Sequence, residues 1–202
     1  KMKRDLFFEF AGQVKAGRLD FYGKEFSFDY EGFKVNLTNV DSLRMKALSG
    51  KKDLEGNPIL APVKTVIEGV NGDLLIDDPF NKSGLRDFPE YPIFNSFDMS
   101  YVYYDKDEIL GGVYDRNRFY FQLEPFKVDS LDNFDNKQLR FTGTFTSAGI
   151  FPEFDETLRL QPDFSLGFVR STPESGYPAY GGKGQYYSQI NMSHKGLRGD
   201  GK

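Results

Sequence analysis

The stretch "FSFDYEGFKVNL" (residues 26–37) decides how the rest of the chain is read. Phe26, Phe28 and Tyr30 alternate with Ser27 and Asp29, and after Glu31-Gly32 the pattern resumes with Phe33, Val35 and Leu37 around Lys34 and Asn36. Period two carries each apolar set to one face of an extended strand, whereas a helix would scatter it around its axis. The Glu-Gly pair marks a break between two strands.

Working outward, the same signal recurs. "NSFDMSYVYYD" (95–105) sets Tyr101 and Tyr103 opposite Val102 and Tyr104, so both faces of that strand need cover. "LRFTGTF" (139–145) sets Leu139, Phe141 and Gly143 against Thr142 and Thr144, and "LRLQPDFSLGF" (158–168) continues the pattern. "GQYYSQINMS" (184–193) places Tyr186, Ser188, Ile190 and Met192 on one predicted face. Around 65–76, Val66, Ile67, Val70, Leu74 and Leu75 could form a helical stripe, but Gly69 and Asn71-Gly72 interrupt it. Asn-Gly between apolar runs is a strong hairpin signal, so two strands, Thr65 to Val70 and Asp73 to Ile76, are preferred to a helix. "DSLRMKAL" (41–48) fits strand or helix, with Asp41 as a possible N-cap. The expected class is all-β, mainly antiparallel, either a sandwich or a curved, solenoid-like sheet.

At 202 residues the chain can bury roughly 70% of its unfolded surface, enough for a core without disulfides or a structural metal. Thirty acidic and 26 basic residues are evenly spread, giving a net charge of −4 and no basic footprint for nucleic acid. The absence of Cys removes thiol catalysis, thiolate metal sites and disulfides. No apolar run is long enough to span a bilayer as a helix. "KMKRDLFFEFAG" (1–12) is too short and too charged in its apolar part for a signal peptide, and both ends read as cuts in a longer protein.

An echo of the opening stretch appears in "FYFQLEPFKV" (119–128). Phe26, Phe28, Glu31, Phe33, Lys34 and Val35 match Phe119, Phe121, Glu124, Phe126, Lys127 and Val128 at an offset of 93, and Ser83-Gly84 matches Ser175-Gly176 at 92. With 21 Phe and 12 Tyr, composition alone supplies part of this. The expectation is two related β units, 1–107 and 108–202, stacked or paired and able to pack as one domain.

"GRLDFYGKEFSFDYEGFKVNL", "VDSLRM", "NGDLLIDDPFNKSG", "FPEYPIFNS", "SYVYYD", "GIFPEFDETLRLQPDFSLGFVR" and "YGGKGQYYSQINMSHKGLRGDGK" together resemble a segment of the very large, repetitive cell-envelope proteins of Bacteroidetes-type bacteria. The resemblance covers nearly the whole chain, and its motifs are strand and turn phrases without chemistry. In style it is also similar to the β-rich repeats of AsmA and TamB-like proteins. It implies a periplasmic or outer-membrane location, a structural or scaffolding role, and an apolar sheet face that could serve as a groove for lipid. The partners it implies are the rest of a larger polypeptide or other envelope proteins.

The residue inventory offers little catalysis. His194 is the single histidine, and no Gly-x-Ser-x-Gly elbow accompanies it, so no catalytic residue is assigned and no enzyme is expected. Asp129, Asp132 and Asp135, like Asp105, Asp107 and Glu108, lack calcium-loop spacing and suit turns. No metal or cofactor is expected. Arg198-Gly199-Asp200 matches an adhesion tripeptide but is discounted as a chance match. The competing reading is a carbohydrate-binding module, with Tyr101, Tyr103, Tyr177, Tyr180 and Tyr186 as ligand-binding candidates, joined by Tyr104 and Tyr187. The absence of Trp, the largest stacking surface, counts against it.

Overall fold

The opening stretch folds as a hairpin. In the computed structural model, which describes residues 7–200, Asp29 ends one strand, the Asp29 carboxylate accepts the Gly32 amide (3.1 Å), and Phe33 takes a positive φ of 47° before Lys34 starts the next. Residues 1–6, which include the basic start of the segment read above as no signal peptide, and residues 201–202 lie outside the described residues.

The strands are β1 (Phe8–Ala16), β2 (Leu19–Asp29), β3 (Lys34–Lys52), β4 (Pro58–Pro62), β5 (Val70–Leu75), β6 (Ile93–Ser96), β7 (Ser100–Tyr103) and β8 (Phe119–Leu123). They continue as β9 (Lys127–Val128), β10 (Arg140–Ser147), β11 (Phe154–Leu160), β12 (Leu166–Ser171), β13 (Tyr177–Ala179), β14 (Gly184–Tyr186), β15 (Gln189–Ser193) and β16 (Gly196–Gly199). The class is all-β, built from antiparallel sheets that include a curled half-barrel, with a 3-10 turn at Asn136–Gln138.

The chain forms two compact units from interleaved segments rather than from consecutive halves. The first takes the chain up to Pro62, Val66–Ser100 and Pro125–Gln138; the second takes Val63–Thr65, Tyr101–Glu124 and the chain from Leu139 onward. In the first, the sheet order is β1-β2-β3-β5-β6-β9, with β4 also paired to β3; in the second it is β16-β15-β12-β11-β10-β8-β7, beside the β13-β14 hairpin. Each sheet follows chain order along its path, with β4 set off as a branch on β3, β9 and β8 exchanged between the sheets, and the β13-β14 hairpin inserted between β12 and β15.

The two echoing windows adopt different local structures. Residues 26–35 close the β2–β3 hairpin within one sheet, whereas in 119–128 the strand β8 lies in one sheet and β9 in another. Pro125, which has no amide to give a ladder, sits at the break.

β3 is the backbone of the first unit, and a pair of irregularities brings Val40 onto its buried face. Val35 and Leu37, then Val40, then Leu43, Met45 and Ala47 are all buried. The phase slips twice, and each slip coincides with a register shift: Leu37/Val40 against β5 and Tyr22/Gly23 against β2. A one-residue slip in a strand moves all later side chains to the other face, so the first bulge turns Val40 inward and the second returns Leu43, Met45 and Ala47 to the phase of Val35 and Leu37. "DSLRMKAL" is therefore strand throughout.

The expected hairpin at Asn71-Gly72 does not form, because β5 runs straight through it. Asn71 Oδ1 accepts the Asn39 amide at the first β3 bulge (2.8 Å), where Asn39 takes a positive φ of 47°. Gly72 lies beneath the Phe94 ring, and a Cβ there would collide with the Asn95 carbonyl. The pair serves a neighbouring strand rather than a turn. Likewise the predicted strand over 184–193 breaks between β14 and β15, where Ser188 has φ 119°; only Ile190 and Met192 continue on the buried face.

In the second unit, Phe119, Phe121 and Leu123 of β8, Phe141 and Phe145 of β10, and Leu166 and Phe168 of β12 supply the core. Gly143 repeats the role of Gly72, since a Cβ there would overlap the Gln122 carbonyl and the Phe121 ring. Gly143→Ala is expected to destabilise the protein by about 1–3 kcal/mol in chemical denaturation, the usual cost of overpacking. Gly184→Ala, with nothing near its Cβ position, should change stability by less than about 0.5 kcal/mol.

Candidate functional site

Both sheets place their large side chains by alternation, so the candidate residues sort by face. On β8, Tyr120 lies between Phe119 and Phe121, whose rings point inward. Tyr101 and Tyr103 join Tyr120 on the outer face: the first two stack (5.7 Å, 14°), Tyr120 meets Tyr101 edge-on (5.9 Å), and Gln122 Nε2 donates to the Tyr101 hydroxyl (2.9 Å). The Arg116 guanidinium lies 3.5 Å above the Tyr103 ring and pairs with Asp105 (3.1 Å). Tyr103 thus has Arg116 over its ring and Tyr101 alongside. A sugar stacks on an open ring face, and the guanidinium already occupies one face of Tyr103.

Tyr177 and Tyr186 sit on the opposite, inner face. They are cross-strand partners in the β13-β14 hairpin. Tyr177 stacks on Phe154 (5.9 Å, 15°), and Tyr186 packs edge-on against Phe151 (5.6 Å) and donates its hydroxyl to the Gln189 carbonyl (2.8 Å). Arg170 binds this hairpin to the sheet: its Nε donates to the Tyr177 hydroxyl (2.6 Å), its Nη1 reaches the Asp155 carbonyl (2.8 Å) and Glu156 (3.4 Å), and its plane covers Phe154 (4.6 Å). Tyr180, at the hairpin tip, is 64% exposed, and Tyr187 is 49% exposed. The five candidate tyrosines are therefore divided into an outer pair, an inner pair and one exposed tip. Period-two alternation in "FYFQL" sets Tyr120 on the face opposite Phe119 and Phe121, but not beside Tyr101 and Tyr103; Arg116 and Arg170 carry no local sequence signal.

Tyr104 is a third case. It is 2% exposed, packs edge-on against Phe119 (5.8 Å), and its hydroxyl has no hydrogen-bond partner among the described residues. Burial pushes its pKa up.

The single histidine does meet a serine and an aspartate, but in a structural arrangement. Ser165 donates its hydroxyl to Asp163 Oδ1 (2.6 Å), and its Oγ accepts the main-chain amide of His194 (3.0 Å). A nucleophilic serine needs an imidazole nitrogen as its base; here the hydroxyl proton goes to the carboxylate and the histidine offers its backbone. Partial burial works to raise the Asp163 pKa, but the Ser165 hydroxyl and amide, then the charges of Lys64 and His194, outweigh it and hold the carboxyl below the usual aspartate range.

The acidic runs act as turn brackets. Asp135 Oδ1 accepts the Lys137 amide (2.8 Å), and Asp129 Oδ1 accepts from Gln138 Nε2 (3.4 Å). Among the described residues no group of three or more His, Cys, Asp or Glu is placed to hold a metal ion. Arg198 and Gly199 lie in β16, paired with β15, rather than on a displayed turn.

The first unit offers a different surface. Phe8 stacks near Phe10 (5.5 Å) and Phe28 (5.1 Å), Phe10 meets Phe26 edge-on (5.6 Å), and Phe28 meets Tyr30 (6.5 Å). Phe26 is buried, Phe10 and Phe28 are half-buried, and Phe8 and Tyr30 are exposed. Beside them an open depression of about 530 Å³ is lined by Glu9 and Phe10 of β1, Lys24 to Ser27 of β2 and Thr38 of β3. Its volume lies in the range of small-molecule sites, and its walls combine aromatic rings with charged ends.

No family model matches this chain, and no curated protein or solved structure is significantly similar to it. Among the described residues no helix is long and apolar enough to cross a membrane.

Two measurements follow from these side chains. Tyr104→Phe should leave stability unchanged or raise it by about 1 kcal/mol, because it removes a desolvated hydroxyl without breaking a bond. Asp163 has a lowered folded-state pKa, so the stability it contributes is complete above about pH 4, the unfolded value, and is lost as pH falls through the folded pKa. Asp163→Asn is therefore expected to cost about 1–3 kcal/mol at neutral pH, with the gap to the parent protein closing in acid when denaturation is followed against pH.

Proposed function

We propose that this chain is a structural, scaffolding segment of a larger bacterial envelope protein, without catalytic chemistry of its own, residing in the periplasm or outer membrane. The observation that carries the reading is how the aromatic side chains are used. In the second unit Phe119, Phe121, Phe145, Phe154 and Phe168 fill one continuous inner layer, with ring-to-ring distances of 5.2–6.5 Å. The tyrosines close that layer or cover one another. The resemblance to repetitive envelope proteins supplies the location, and the meander order of both sheets suits a chain that extends by adding strands.

Within this role the Phe8, Phe10, Phe28 and Tyr30 stripe and its depression form an apolar groove for an acyl chain, with Lys24 and Glu25 at its polar rim. The carbohydrate reading retains only Tyr180 and Tyr187 as accessible rings.

Fractionation of the cells that natively make the protein is the primary test. The reading expects it with periplasmic or outer-membrane markers, and recovery with cytosolic markers overturns it. For the groove, protein purified without detergent should carry fatty-acyl lipid detectable by mass spectrometry. Phe10→Asp combined with Phe28→Asp should lose most of it; equal lipid in parent and variant, or none in either, removes the groove.

A further inference from the structure

The groove of the first unit has two ends that differ in charge. Its stripe runs along β1 and β2, where Phe10 faces Phe26 and Phe8 faces Phe28, and reaches Tyr30 in the turn after β2. From Phe26 to Tyr30 the span is about 14 Å at the usual strand rise, and the two strands lie about 5 Å apart, the breadth of one acyl chain. The Phe26 end carries Lys24, Glu25 and Glu9, two carboxylates to one ammonium. The Tyr30 end carries Lys82, whose Nζ lies 5.0 Å from the centre of the Tyr30 ring. Among the described residues no carboxylate lies within ion-pair distance of Lys82, and Asp29, in the nearby turn, accepts the Gly32 amide instead. The loop beneath Lys82 is fixed by its neighbour Asn81, which is 4% exposed. Asn81 Oδ1 accepts the Arg86 amide (3.0 Å), and its Nδ2 donates to Asp77 Oδ2 (2.7 Å) and to the Arg86 carbonyl (2.8 Å).

We propose that Lys82 is the head-group residue of this groove and that the ligand is a free fatty carboxylate. Its anionic head meets the Lys82 ammonium beside Tyr30, and its chain runs along Phe28, Phe8 and Phe10 towards Phe26. The reverse orientation would set the head against Glu9 and Glu25, where like charges repel. Lys82 stands on a loop that is already ordered and over a ring that already holds its cation, so little freedom is lost when an anion arrives. A lipid with two chains would exceed the breadth of a stripe carried by two strands. This inference rests on the groove reading and adds to it the polarity of the ligand and the residue that selects it.

Titration calorimetry with dodecanoate and dodecanol, which share a chain and differ in the head, is the test. The parent protein should bind dodecanoate about fivefold more tightly than dodecanol, the scale of an exposed ion pair. Lys82→Glu should remove that preference and leave the affinity for dodecanol unchanged, whereas Lys24→Glu, at the other end, should keep the preference. Lys82 and Lys24 are both exposed, and circular dichroism would confirm that the variants stay folded. Equal affinity for the two probes, or a preference that survives Lys82→Glu, overturns the proposal and leaves the groove in place. Tighter binding of a two-chain phosphatidylglycerol than of dodecanoate overturns it as well. If neither probe binds, the groove reading itself fails and the head-group assignment falls with it.

Discussion

The structure depends on keeping the apolar residues of each long strand on one face. β3 spans 19 residues, long enough for accumulated twist and its several partners to disturb a strict alternation. Its two register irregularities shift the phase at Val40 and again at Leu43, so Val35, Leu37, Val40, Leu43, Met45 and Ala47 all reach the interior. Without the second, Leu43, Met45 and Ala47 would face water; without both, Val40 alone would. The exposed leftover amide at the first irregularity is not abandoned, because Asn71 on β5 accepts it.

The same economy of side chains governs the close approaches. Gly72 under Phe94 and Gly143 under Phe121 put a ring over a bare stretch of backbone in each sheet. An alanine would have to displace main chain, while the ring covers the surface a missing side chain leaves open. Aromatic residues thus have two tasks here, filling the interior and covering glycine, and a chain with 21 Phe has rings for both.

Function follows from which rings remain available. In the second unit, Arg170 fastens the β13-β14 hairpin by a hydrogen bond to Tyr177 and a stack on Phe154, and Arg116 caps the Tyr103 face. Arginine suits both positions because its planar group stacks and donates at once. These contacts give Tyr103 and Tyr177 packing partners within the second unit. The first unit leaves a stripe of phenylalanines on β1 and β2, and the proposal for lipid arises there.

The all-β class was legible from residues 26–37, 95–105 and 139–145, because alternation is a local property and a pleated strand translates it directly into two faces. The hairpin at Glu31-Gly32 was equally local, fixed by an Asp29 side chain three residues away. Asn71-Gly72 was misread for the complementary reason: its turn chemistry was real, but β3 and β6 flank it on both sides and Asn39 uses its side chain. The grouping of the tyrosines was hidden similarly, since Tyr101 meets Tyr120 and Tyr177 meets Phe154 across strands far apart in sequence. Sequence alone determined strand, face and class through spacing within a few residues. Which strands became neighbours, and so which rings were covered, was decided only in three dimensions, where long-range pairing competes with every local preference.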